Sequence, residues 1–365
     1  MMKRLFVILP AVLLLSGCSL SSDETEEIPR YEVRDLSGGV IRSQDYGETY
    51  APFVAAEEGK AIRKTQVYSM DFAHGGDPSL FFGSAEDGLF SDTGEGGVWR
   101  RLPFPPEKIY AFSAHHDDQA KSTTIYAAGV YESRGKIYKS LDGGENWKEI
   151  YTEPASGTVI LALASHASDP GTVYAGTSEG VVIKSTDGGA TWRNMQTFDQ
   201  PVYDIALDSS NPRSVYFLLF ERDVSVSRDG GETIMGEEDI SKNDKEEGVL
   251  EDLSGKRPYS IAPDPNRSGV VYVGAQGEVF ASEDFGATWR NMDIIESVEG
   301  IPIRSIGVSP FSSREIIFGA ARAIYSSRNG GESWRTFQLD ADATPAHIVF
   351  DPVREGTVYV GLRTF

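Results

Sequence analysis

An eight-residue phrase recurs along this 365-residue chain, and its period constrains the fold more than any other feature. It reads Ser-Gln-Asp-Tyr-Gly-Glu-Thr-Tyr over 43–50, Ser-Leu-Asp-Gly-Gly-Glu-Asn-Trp over 140–147 and Ser-Thr-Asp-Gly-Gly-Ala-Thr-Trp over 185–192. It returns over 227–234, 282–289 and 327–334, and a degenerate copy with an insertion lies at 91–99. That makes seven copies spaced 42 to 55 residues apart, the period of a propeller or solenoid unit.

Each unit has the same internal grammar. An alternating run such as 160–164 is followed by a Pro-containing turn, Asp169-Pro170, and then by a β-rich run ending in Gly176. A third run, 181–184, leads into the phrase, and a fourth begins at its Trp. Four short strands per unit with turn signals between them, and no helical period, predict an all-β chain. Radial repetition of four-stranded units predicts a seven-bladed β-propeller.

The phrase itself reads as the tight turn between third and fourth strands. An Asp side chain accepts bonds from nearby backbone N–H groups, and Gly takes a left-handed φ without a Cβ clash. The Trp starts the outer strand and needs a partner for its N–H. Asp45, Asp142, Asp187, Asp229, Asp284 and the substituted Asn329 are therefore read as turn formers, with Trp147, Trp192, Trp289 and Trp334 as packing residues.

The two ends are out of phase. First strands start near Val67, Ile109, Ile160, Val202, Pro258, Ile303 and Ala346, yet the chain opens on a third strand, 39–42, and finishes on a second, 357–361. Pairing N-terminal outer strands with C-terminal inner strands completes the seventh blade and removes the open edges. Ser69, Ala111, Ala162, Asp204, Ser260, Ser305 and His347 align and are mostly small, as expected for residues facing a narrow channel. Their neighbours, from Met70 and Phe112 to Ile306 and Ile348, are apolar and should pack between blades.

These residues resemble the Asp-box, or bacterial-neuraminidase, repeat Ser-x-Asp-x-Gly-x-Thr-Trp. Departures are local: Asn329 replaces the Asp, Tyr50 and Ile234 replace the Trp, and 91–99 carries an insertion. The repeat occurs in sialidases, sortilin-type receptors, xyloglucan-degrading hydrolases and photosystem II assembly factors. Over roughly 31–365 the chain resembles single, lipid-anchored propellers of the assembly-factor and sortilin-like kinds. That resemblance implies a non-catalytic platform that binds protein or peptide at a membrane surface.

Residues 1–17 read as a signal peptide, with Lys3 and Arg4 before an apolar run too short to span a membrane. Leu15-Ser16-Gly17-Cys18 resembles a bacterial lipobox, which implies cleavage before Cys18 and its acylation; an ordinary secretory signal is the alternative. Several acyl chains hold a protein firmly to a bilayer. Ser19 is compatible with outer-membrane sorting in a diderm host, and 18–30 reads as a polar, acidic tether to the propeller at 31–365. Cys18 is the only cysteine, so the propeller has no disulfide, thiol nucleophile or cysteine metal site.

The net charge is −21, and −23 once Lys3 and Arg4 are removed with the signal. Nucleic acid and anionic lipid are poor partners for such a surface. No cofactor or metal is implied, and the chain is expected to be a monomer. His115-His116-Asp117-Asp118 has metal-ligand composition without a matched spacing and is read as a polar turn in a first-to-second-strand hairpin.

Loops before first strands and between second and third strands share one face, opposite the Asp-box turns. That face carries Glu86, Asp87, Glu132, Arg134, Glu179, 221–223, Gln276, Arg322 and Arg363. Near the first-strand starts come Tyr68, Tyr110, Tyr203 and Tyr259, with Arg304 at the equivalent place. Such a ring could stack on sugars or cradle a peptide; packing between blades is the alternative. The acidic excursion 236–257 lies on the same face, as a partner-binding loop or a solvated flap.

Two functions remain. One is a lipid-anchored envelope platform for a protein, peptide or glycan. The other is a glycoside hydrolase, for which Asp204 and Glu86 are candidate carboxylates. The sialidase motif Phe/Tyr-Arg-Ile-Pro is absent, and sialidase propellers have six blades. Xyloglucan hydrolases place their carboxylates between two propellers, and this chain has one.

Overall fold

The computed structural model describes residues 36–59, 61–75, 79–84, 86–92, 94, 97–106, 108–220, 224–235, 253, 256–294, 298 and 300–365. Cys18, the tether, 221–223 and most of the 236–257 excursion lie outside them.

Seven sheets form a ring, as the repeat count predicts. Their innermost strands are Val67–Phe72, Ile109–Asp117, Ile160–His166, Val202–Leu207, Pro258–Pro263, Ile303–Val308 and Thr344–Phe350, which define blades 1 to 7. In blades 1 to 6 the following strands in sequence add outward, each antiparallel to the last. Blade 7 closes the ring: Gly39–Ser43 pairs with Val358–Arg363, with Gly39 opposite Leu362 and Ser43 opposite Val358. Ala51–Pro52 forms its outermost strand.

Two blades depart from the four-strand expectation. Blade 1 carries a fifth strand, Ala55–Ala56, parallel to Val98–Arg101. Its degenerate box places Ser91 directly before Asp92, which rules out the usual Ser-x-Asp turn. Trp99 instead is fully buried, donating from Nε1 to the Phe53 carbonyl at 2.8 Å and lying edge-on to Phe82. Blade 4 has three strands among the described residues; Met235 N–H already donates to Val226 at 2.8 Å, so pairing resumes after its box.

The remaining boxes share one hydrogen-bond scheme. In blade 3, Ser185 Oγ donates to Asp187 Oδ1 (2.8 Å) and accepts from Gly189 N–H (2.8 Å). Thr191 donates its N–H to Oδ1 (2.8 Å) and its hydroxyl to Oδ2 (2.6 Å). Gly188 and Gly189 have φ of +69° and +87°, which only glycine takes without strain. The Trp147 indole donates to Gly144 at 2.9 Å, whereas the Trp192 and Trp334 indole N–H groups are enclosed without a partner. The boxes also reach the neighbouring blade: Lys184 Nζ (2.8 Å) and Tyr174 OH (3.1 Å) both donate to the Gly230 carbonyl.

The seams between blades bear on two other patterns. In five blades a glycine near the end of the second strand is needed because the next inner strand comes very close. A Cβ at Gly83, Gly176, Gly274 or Gly361 would lie 2.5, 2.7, 2.6 or 2.6 Å from Ile109, Val202, Ile303 or Val67 of the following blade. Two members of the small first-strand row also bond across the seams. Ser260 and Ser305 donate to the Ile303 (2.9 Å) and Pro345 (3.1 Å) carbonyls of the next blade. Two blades depart from the glycine pattern: blade 2 has Ala128 at this register position, and blade 4 has Leu218, which shares a buried cluster with Leu253.

On the box face the first-to-second-strand hairpins are linked through buried aspartates. Asp208 is fully enclosed and accepts from Ser210 N–H (2.9 Å), Asn211 N–H (2.8 Å) and, across the seam, Gly269 N–H (2.6 Å). Asp264 repeats the device, accepting from Asn266 N–H (2.9 Å) in its own hairpin and Ser313 Oγ (2.9 Å) in the next.

Two stability experiments follow from these bonds. Asp208→Ala leaves the Gly269 N–H buried without an acceptor and should lower the unfolding free energy by about 3 kcal/mol, read by chemical denaturation. The Asn146 side chain at Asp142, and the Thr191 and Thr233 hydroxyls at Asp187 and Asp229, with the backbone N–H of the same residues, hold these carboxyls down at about 2. An unfolded Asp titrates near 3.9, so the folded state is favoured above pH ~4 and loses that stability as pH falls towards ~2. Asn329 shows that an amide fits the turn, donating from Nδ2 to Ser333 Oγ at 2.9 Å. Changing Asp142, Asp187 and Asp229 together to Asn should therefore flatten the melting-temperature decline over that acid range.

Candidate functional site

Every innermost strand carries a β-bulge near its start. The register skips one residue between Val67 and Ser69, Ile109 and Ala111, Ile160 and Ala162, Val202 and Asp204, Pro258 and Ser260, Ile303 and Ser305, and Pro345 and His347. The extra residues are Tyr68, Tyr110, Leu161, Tyr203, Tyr259, Arg304 and Ala346. A bulge re-aims its side chain, and here it turns one residue per blade towards the mouth of the ring. The bulges sit where second strands turn into third strands, at the end of the blades opposite the boxes.

Five of those seven residues join a chain of ring contacts. Tyr110 meets Tyr68 edge-on at 6.3 Å. The Arg363 guanidinium lies 3.6 Å from the Tyr68 centroid and 4.6 Å from that of Phe365. Arg304 is 3.9 Å from Phe365 and 5.2 Å from Tyr259. Arg257 continues the series, 5.0 Å from Tyr259 and 4.3 Å from Phe220, and Phe220 meets Tyr203 at 6.5 Å. The Tyr203 hydroxyl donates to the Pro258 carbonyl of the next blade, so this ring also ties the seam between blades 4 and 5.

The belt is electropositive within an acidic chain. No carboxylate lies within ion-pair distance of Arg257, Arg304 or Arg363 among the described residues. Burial, partly offset by Tyr259 and reinforced by the Arg257 charge, pushes the Arg304 guanidinium below its usual range. Burial, partly offset by Tyr68 and reinforced by the Arg304 charge, does the same to Arg363. The Nε of Arg363 is enclosed and has no acceptor.

The structure brings Tyr68, Tyr110, Tyr203, Tyr259, Arg304 and Arg363 into this belt and leaves the other candidates outside it. Glu86 and Asp87 direct their N–H groups to Ser84 Oγ in the blade 1 hairpin (3.4 and 3.3 Å). Glu179 is an exposed hairpin residue, and Arg322 is paired with Asp342 at 3.1 Å. Sequence reading passed over Phe220, Phe365 and the role of Arg257. A signal was present in part, since Phe220 immediately follows a second strand and Arg257 immediately precedes the blade 5 first strand.

Below the mouth, Asp204 follows the Tyr203 bulge. Its Oδ1 accepts from Ile205 N–H at 2.8 Å, and burial pushes the carboxyl up to about 6, with the Asp71 charge adding to the shift. The strand holding His115, His116 and Asp117 runs further than the polar-turn reading allowed, to Asp117 itself. Asp117 then closes the turn, accepting from Gln119 and Ala120 N–H at 2.8 and 3.0 Å. No group of three His, Cys, Asp or Glu residues suited to a metal ion occurs among the described residues.

No protein-family model and no curated protein sequence matches the chain. Solved structures do, at the level of the fold. A GH74 xyloglucanase from Xanthomonas campestris is 17% identical with a TM-score of 0.64, over 81% of this chain and 51% of that one. The chain thus spans about half the length of that enzyme. YCF48 from Cyanidioschyzon merolae is 14% identical with a TM-score of 0.61, over 81% of this chain and 95% of that one. A structure of YCF48 bound to D1 peptide is 14% identical with a TM-score of 0.57, over 82% and 95% of the two chains.

The raised Asp204 carboxyl gives a pH test of its enclosure. With its folded value raised to about 6 against ~3.9 unfolded, the folded state binds the proton more tightly. That contribution is complete below pH ~4 and is lost as pH rises through ~6. Asp204→Asn should remove the loss, so its melting temperature relative to the parent should rise between pH 4 and pH 7.

Proposed function

We propose that the protein is a lipid-anchored propeller of the bacterial cell envelope that binds a protein, peptide or glycan on its bulge-lined face, without catalysis. The observation that carries this reading is the belt of aromatic and arginine side chains set around the mouth by six of the seven blades. Half-buried rings and uncompensated cations together are the composition of a recognition surface. A protein of like fold has been solved with a peptide bound, which supports the class of ligand. The envelope address rests on the lipobox resemblance at Cys18.

A hydrolase is the second reading, favoured by one observation. Asp204 carries an enclosed carboxyl raised to about 6, as a general acid requires. The xyloglucanase fold similarity agrees with it, although that enzyme is about twice as long.

Capture from envelope extract separates the two. Tyr203→Ala/Tyr259→Ala, checked for an intact melt, should recover less of the partner bound by the parent protein. Equal recovery of every partner removes this face from consideration. Turnover of sialosides, β-glucans or xyloglucan that disappears in Asp204→Asn would establish the hydrolase instead.

A further inference from the structure

We infer that Arg257, Arg304 and Arg363 form a carboxylate-reading site for an acidic peptide, and that the Thr364-Phe365 segment covers this site until the ligand displaces it. The inference rests on the binding-face reading above and names the ligand's chemistry.

The rings of the belt are already engaged by guanidinium groups. Tyr68 carries Arg363 at 3.6 Å, and Tyr259 has Arg257 at 5.0 Å and Arg304 at 5.2 Å. A ring so engaged is poorly placed to stack on a sugar; it holds and orients the cation. A guanidinium carries a planar N–H fork that matches a carboxylate bidentately, although that of Arg363 also bonds Tyr68. The belt therefore offers guanidinium groups held on rings more than free aromatic platforms.

Charge supplies the second argument. The guanidinium groups of Arg304 and Arg363 repel one another, as do those of Arg304 and Arg257. No acid pairs with them among the described residues, and Arg363 Nε is enclosed without an acceptor. Elsewhere the chain pairs its arginines readily, as with Arg193 and Glu232 or Arg354 and Asp351. A ligand carboxylate would satisfy the enclosed donor and relieve the repulsion together.

The third argument selects a peptide over an acidic glycan. A peptide segment already lies on the site. Thr364 donates its N–H (2.7 Å) and hydroxyl (3.0 Å) to Gln66 Oε1, and the Phe365 ring contacts both Arg304 and Arg363. Phe365 is nonetheless 62% exposed, and its side chain brings no negative charge. It shows how backbone and an apolar side chain fit there without placing a carboxylate within ion-pair distance of either arginine. A glutamate-bearing segment would make the same contacts and supply the missing charge.

The test measures fluorescence anisotropy on the full chain in neutral detergent, with a labelled hexapeptide alternating Glu and Phe. The parent should bind it, and the Gln-for-Glu peptide should bind about tenfold or more weakly. Arg304→Gln and Arg363→Gln should each lose about tenfold for the acidic peptide, with melting temperatures showing that both fold. Phe365→Ala should tighten binding, because the covering ring is gone. Equal affinity for the two peptides, or unchanged affinity in both arginine variants, overturns carboxylate reading. Weaker binding by Phe365→Ala overturns the covering role, and tighter binding of oligogalacturonate than of the acidic peptide overturns the peptide. If neither peptide binds while the tyrosine pair still governs partner capture, the carboxylate inference fails and the binding-face reading survives.

Discussion

Everything in this molecule depends on a ladder of five paired positions. Gly39–Ser43, near the N-terminal end, inserts beside Val358–Arg363 and turns an open row of blades into a ring. An open row would leave an inner sheet and an outer strand unpartnered at its two ends, with backbone donors and acceptors exposed along both. Closure satisfies them and places the last strand against blade 1, where Gly361 approaches Val67 too closely to admit a Cβ. The same closure carries Arg363 over Tyr68. Ring integrity and the composition of the mouth are thus consequences of one pairing.

The blades are joined as firmly as they are built. The Asp-box is a local staple, yet its glycine carbonyl also receives Lys184 and Tyr174 from the preceding blade. Buried aspartates at the ends of first strands add a second set of links on the same face. The opposite face has no such uniform bonding. Its bulges release one side chain per blade from the ladder, and those side chains are free to differ: Tyr in four blades, Arg in one, Leu and Ala in the others. A scaffold locked on one face and variable on the other is suited to recognition.

The seam between blades 4 and 5 is where the repeat is least regular. Leu218 replaces the close-approach glycine, Asp204 replaces a small residue, and Tyr203 bonds to the next blade's Pro258. Phe220 and Arg257 enter the belt at this seam. Irregularity in a repeat protein marks the positions at which packing alone does not choose the residue. Here they coincide with one end of the belt.

The sequence by itself determined the turns, the blade number and the closure. Each of these is encoded over short distances: Ser185, Asp187 and Thr191 bond within six residues of one another, and the phase of the strands follows from counting. The tyrosine row was legible too, because the bulge recurs at a fixed place in the repeat. What the sequence left open was the belt. Arg257, Arg304 and Arg363 are single residues in three different blades, with no shared local pattern. Only the ring brings them to one mouth, and only the tertiary structure shows that their charges lack partners and that Phe365 lies across two of them. Local hydrogen bonding is written in residue spacing, whereas electrostatic neighbourhood depends on closure through space.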